Sequence, residues 1–139
     1  MLKIDAISPD AILKECGEIQ TFLESTYESD NPAACEFRGT TLENYMARTG
    51  KMLADAKYWQ DEFTNSAIAE TIKEALSAQK VWGLSIINKK IDALNKENNY
   101  LVNWCDRLNR TATHQLEFTR TLISKHKAEM QAAGWGNRA

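Results

Sequence analysis

Proline and glycine are scarce in this chain: two Pro and six Gly punctuate 139 residues. A β-sandwich would show turn signals about every eight to twelve residues, so this shortage of breakers excludes one and leaves room for long helices. Long hydrophobic runs are missing as well. No uninterrupted apolar stretch exceeds four residues, against the roughly 20 that a membrane-spanning helix needs. Residues 1–10 show neither the basic start nor the apolar core of a secretory signal, so a cytoplasmic location is expected. Cysteine is limited to Cys16, Cys35 and Cys105. An odd number cannot all pair within one chain, and in a reducing compartment each is expected to act as a small buried hydrophobe.

Catalytic and metal signatures are lacking. There is no Gly-rich phosphate loop, HExxH, CxxC, GxSxG or EF-hand pattern. The two histidines, His114 and His126, fall more than three turns apart on one helix. Di-iron bundles use Glu-x-x-His motifs, and none occurs here. The expectation is a non-enzyme with no metal and no cofactor.

What remains is an ordinary globular composition, 43% hydrophobic and 26% charged, with 17 basic against 19 acidic residues and a formal charge of −2. That suits one domain and argues against disorder. Ser8-Pro9-Asp10 reads as a helix start, with a capping hydroxyl, a proline at the first helical position and an acid at the positive end. Ile12, Cys16, Ile19 and Leu23 follow at 4-3-4 spacing, with Leu13 and Phe22 widening the stripe. Asn31-Pro32 repeats the device. The second seam runs through Leu42, Tyr45, Thr49, Met52, Ala56, Trp59 and Phe63. Gly39 and Gly50 lie inside this helix, each costing about 1 kcal/mol against Ala, and mark either close helix approach or a surface weakness.

Thr64-Asn65-Ser66 offers another cap, with Ile68, Ile72 and Leu76 beginning a third helix. From Ile87 to Ile123 apolar residues keep helical spacing, which reads as one long helix whose weakest point is Asn95-Lys96-Glu97-Asn98-Asn99. Gly83 is the expected break before this helix and Gly134-Trp135-Gly136-Asn137 its end. The expected fold is therefore all-α, an antiparallel helical bundle built on a long helical hairpin, in one domain covering residues 1–139. Its helices fall at about 8–27, 32–63, 66–80 and 85–131. A last helix of about 60 Å exceeds the width of a compact domain of this size, so a homo-oligomer is expected, most simply a dimer.

Charge is uneven along the chain. Residues 1–30 hold two Lys against seven acids, and residues 100–139 hold six basic residues against three acids, an asymmetry that suits alignment of the first helix with the last. Two polar stripes stand out at helical spacing. One comprises Asp106, Arg107, Arg110, His114 and Glu117, the other Arg48, Lys51, Asp55 and Tyr58. The first is either a solvated face with a supporting ion pair or an anion-binding or partner-binding stripe. If the two stripes meet, Asp55 pairs with Arg107 or Arg110; if they face water together, they form a basic patch beside Tyr58 and Trp59. Trp59 and Trp104 fall on apolar seams. Trp82 and Trp135 lie near helix breaks, where aromatics plug bundle ends or anchor partners.

The segments Tyr45-Met46-Ala47-Arg48-Thr49-Gly50-Lys51-Met52-Leu53-Ala54-Asp55-Ala56-Lys57 and Arg107-Leu108-Asn109-Arg110-Thr111-Ala112-Thr113-His114-Gln115-Leu116 resemble small helical proteins encoded by bacteriophages and prophages of gut bacteria. The likeness is strongest over about residues 40–60 and 98–130. It implies a phage-type protein working in a bacterial cytoplasm and carries no activity to any residue. The expected function is binding of a host or phage macromolecule, as an inhibitor of host defence would do. The alternative is a binder of nucleic acid or a small phosphorylated nucleotide through Arg48, Lys51, Arg107, Arg110 and His114, which the net charge of −2 disfavours.

Overall fold

The computed structural model describes residues 1–78 and 82–136. Four helices account for most of them: α1 (Pro9–Glu24), α2 (Pro32–Ser77), α3 (Leu84–Leu94) and α4 (Lys96–Gly136). Both expected caps are in place. Ser8 Oγ accepts from Ala11 N at 3.3 Å, and Asn31 Oδ1 accepts from Ala33 N and Ala34 N at 3.0 and 3.3 Å.

The break expected at Thr64 does not occur, and α2 continues as one rod to Ser77. The Thr64 hydroxyl donates back to Gln60 O at 2.8 Å and accepts from Asn95 Nδ2 at 2.5 Å. Its oxygen therefore joins two helices instead of capping one. The segment read as a separate third helix is the last part of α2, where Ala67 and Thr71 are buried, as is Ile91 of α3.

The interruption falls instead in the run expected to be one long helix, within the Asn-rich stretch. Asn95 adopts φ −91° and ψ 9°, and its N–H is shared between Ile91 O at 2.9 Å and Asp92 O at 3.2 Å. Asn98 Nδ2 donates to its side-chain oxygen at 3.0 Å. Asparagine offers the backbone local polar partners, which a helix interior resists and a joint uses. Gly83 stands before α3 as expected. At the other end, α4 runs through Gly134 to Gly136, past the stop expected near residue 131.

The pairing order defines the architecture. Cys35 lies by His126, Gly39 by Thr119, Thr49 by Asn109, Gln60 by Asn99, Thr64 by Asn95 and Glu74 by Lys90. Indices rise on α2 as they fall on its partner, so α2 and the α3–α4 pair form one long antiparallel hairpin. Helix α1 lies along it from Arg38 and Gln115, at the C-terminal end of α1, past Arg48 toward Asp55, which holds the chain before α1. The core is the meeting of the three seams: Ile12, Cys16, Ile19 and Leu23 from α1, Leu42, Met52 and Ala56 from α2, and Cys105, Leu108, Ala112 and Leu116 from α4. Leu13 and Phe63, both assigned to stripes, are exposed.

At 16 residues α1 is about 24 Å long, against about 69 Å for the 46 residues of α2. It cannot cover the whole hairpin. The last third of α2, beyond Phe63, therefore has with α3 only two helical layers and leaves Ile68, Ile72, Leu76, Leu84, Ile86 and Leu94 exposed.

The two interior glycines of α2 separate. A Cβ on Gly39 would lie 3.6 Å from Thr119 Cγ2 and 3.9 Å from Leu116 Cδ1, so Gly39 marks close approach to α4, whereas Gly50 faces open space. Gly50→Ala is expected to raise stability by about 0.5–1 kcal/mol, seen as a higher denaturation midpoint with an unchanged slope.

Candidate functional site

The α2 stripe is covered from one side by α1 and the chain that precedes it. The Arg48 guanidinium grips the Glu15 carboxylate of α1 with Nη2 at 2.8 Å and Nε at 3.1 and 3.2 Å. Lys51 Nζ reaches both oxygens of Asp55 at 2.7 Å and donates to Asp5 O at 3.1 Å. Asp55, buried, also accepts from Ile7 N at 2.9 Å. Burial pushes its carboxyl up, but the Ile7 N–H and the nearby Lys51 and Arg48 charges outweigh it and hold the group below the usual carboxylate range. Trp59 Nε1 donates to Ile7 O at 2.7 Å, and half-buried Tyr58 meets the Trp59 ring edge-on at 5.1 Å. The α2 stripe thus anchors the N-terminal segment.

The α4 stripe lies elsewhere. Arg110 pairs with Asp106 at 3.2 Å within its own helix. Arg107 and Arg110 line a shallow groove with Asn103, Asp106 and Thr111. His114 stands out in solvent, with Nδ1 3.8 Å from Glu117. The contact residue on the α2-facing side is Asn109, whose amide donates to Met46 O and Thr49 Oγ1, both at 3.0 Å. The two stripes do not meet. Asp55 bonds neither Arg107 nor Arg110 among the described residues, and the five cations do not form one patch. With His114 exposed, His114→Ala is expected to change stability by less than about 0.5 kcal/mol in denaturant unfolding, as ordinary surface substitutions do.

Of the tryptophans, Trp104 packs against the core and donates to Gln20 Oε1 at 3.1 Å. Trp82 stacks under the Lys90 ammonium, 4.7 Å from its ring centre, and closes the hairpin tip beside Glu70, Lys73 and Glu74. The Trp135 side chain lies outside the described residues.

The sequence reading missed two buried polar groups. Arg38, 4% exposed, sits one turn before Leu42 on the α2 seam. That placement was the available signal, since a cation on a core stripe demands partners. Its Nη1 donates to Ser25 Oγ at 2.8 Å and its Nη2 to Gln115 Oε1 at 2.9 Å and Leu23 O at 3.4 Å. The guanidinium carbon lies 4.1 Å from the Phe22 ring centre and 4.9 Å from that of Tyr27, and burial lowers the pKa of the group. The second is His126, whose Nε2 lies 2.9 Å from Ser29 O and 3.8 Å from Cys35 Sγ.

All three cysteines are buried thiols. Cys16 and Cys105 touch across α1 and α4 with sulfurs 3.7 Å apart. The Cys105 sulfur, followed by burial, pushes the Cys16 thiol far above its usual range, so it is a poor nucleophile. Among the described residues no three His, Cys, Asp or Glu side chains gather to hold a metal, and no helix is long and apolar enough to cross a membrane. No family model, curated protein or solved structure matches the chain.

Proposed function

We propose that this chain is a non-enzymatic interaction protein that acts by binding macromolecules, first among them a second copy of itself, as a phage-type accessory factor in a bacterial host cytoplasm. The observation that carries the reading is the far end of the hairpin. Two helices leave apolar flanks uncovered, and there Ile68, Ile72 and Leu76 repeat at one-turn intervals and are exposed, as are Leu84 and Ile86 of α3.

Charge supports a second copy as the occupant. Residues 61–78 hold Asp61, Glu62, Glu70 and Glu74 against Lys73, while residues 84–97 hold Lys89, Lys90 and Lys96 against Asp92 and Glu97. A two-fold crossing sets the acidic α2 flank of one copy against the basic-leaning α3 of the other, which closes a four-helix arrangement. Nucleic-acid binding has less support, because Arg48 and Lys51 are committed to carboxylates.

Sedimentation at micromolar concentration is expected to give twice the 15.8 kDa chain mass. The double variant Ile72→Glu, Leu76→Glu is expected to sediment as the single chain with its helical circular dichroism intact. A wild-type protein that remains a monomer would refute the proposal.

A further inference from the structure

Removing a guanidinium from water costs several kcal/mol unless an anion or a full set of acceptors replaces the solvent. Arg38 has neither. No acidic side chain pairs with it among the described residues, its three acceptors are neutral oxygens, and its buried Nε has no partner. Two aromatic faces and the C-terminal carbonyls of α1 offer partial negative charge only. Among the described residues the other buried charged side chain, Asp55, sits beside Lys51.

Beside Arg38 opens a pocket of about 360 Å³, lined by Leu23, Ser25, Tyr27, Arg38, His114, Gln115 and Phe118. Its lining includes the Arg38 guanidinium, which no anion pairs, and Gln115, whose Oε1 accepts from Arg38 and whose Nε2 donates to Leu23 O at 2.9 Å. Leu23, Tyr27 and Phe118 supply apolar and aromatic lining, and Phe118 is 60% exposed. One fixed cation, one carboxamide and an apolar lining match a singly charged head on an apolar body.

We propose that this pocket is a binding site for a carboxylate attached to an apolar or aromatic group, with Arg38 as the counter-charge and Phe118 and Leu23 holding the body. Two sources share that chemistry: a small organic acid, and the C-terminal residue of a peptide. The site is independent of the self-association proposed above, since it lies at the opposite end of the hairpin from Leu76.

The experiment is a titration of the full chain, followed by amide and Arg side-chain NMR. The probes are phenylbutyrate, a hexapeptide ending in phenylalanine with a free carboxylate, and the same peptide amidated. The free acids are expected to bind with Kd near or below about 1 mM and to move the signals of Arg38, His114 and Phe118. The amidated peptide is expected to bind at least tenfold more weakly. A peptide preference of tenfold or more identifies a chain terminus as the ligand, and equal affinities identify a small acid. Phe118→Ala, at an exposed position that leaves the fold intact, is expected to weaken binding about fivefold or more. Arg38→Lys is expected to keep the charge, lose the fork and weaken it similarly. Absence of binding by either acid at about 10 mM, or equal binding of acid and amide, overturns the proposal.

Discussion

Leu108→Ala is expected to lower stability by about 3–4 kcal/mol, the largest loss from any single truncation considered. Leu108 is 1% exposed and sits in the cluster where α1, α2 and α4 all contribute. Its removal takes away the transfer free energy of the side chain and leaves a cavity that three helices cannot jointly close. The same change at Leu76, 74% exposed on the two-layered end, is expected to alter monomer stability by less than about 0.5 kcal/mol. Denaturant unfolding of both variants tests whether stability resides in the three-helix middle. Comparable losses would show that the far end is packed against something in solution even at low concentration.

Asp55→Ala is expected to cost about 2–3 kcal/mol near neutral pH. It removes a charged acceptor from the Ile7 N–H and from Lys51 in a site from which water is largely excluded. The pH dependence follows from the depressed carboxyl of the folded state. Unfolded aspartate titrates near about 3.9, so the contribution is complete above that value and is lost as pH falls through the lower folded value. The wild-type advantage over Asp55→Ala should thus hold constant from about pH 7 to 5 and shrink below about pH 4. Unfolding free energies for both proteins across that range check it, and an advantage that persists undiminished in strong acid would show the ion pair to be inconsequential.

The parts legible in the sequence were those governed by short-range rules. Ser8 and Asn31 cap because their side chains need only reach two or three residues onward. Ile12, Cys16, Ile19 and Leu23 are buried because helical spacing places them on one face. Thr64 was misread for a physical reason. A hydroxyl that can start a helix can also bond back within one, and the choice depended on Asn95, 31 residues away. The polar stripes were legible as stripes, but which surface each faces depends on where α1 lies, and residue periodicity carries no such information. Arg38 went unread because it follows Cys35 and precedes Leu42 on a seam whose start was set at Leu42. Carrying the same period back one turn reaches it.

The joint at Asn95 gives the hairpin unequal struts. One strut, α2, is continuous past Thr64 and the other is articulated beside it, so a difference in angle between the struts is taken up at Asn95, where α3 meets α4, and not within α2. The 11 residues of α3 are about 16 Å long, and a difference of about 10° in its angle at Asn95 displaces its far end by about 3 Å. A few ångströms suffice to open or close contact with a neighbouring helix. The placement of α3 on the rod is therefore held at two points, the Thr64–Asn95 hydrogen bond at the joint and the Glu74–Lys90 ion pair nearer the tip.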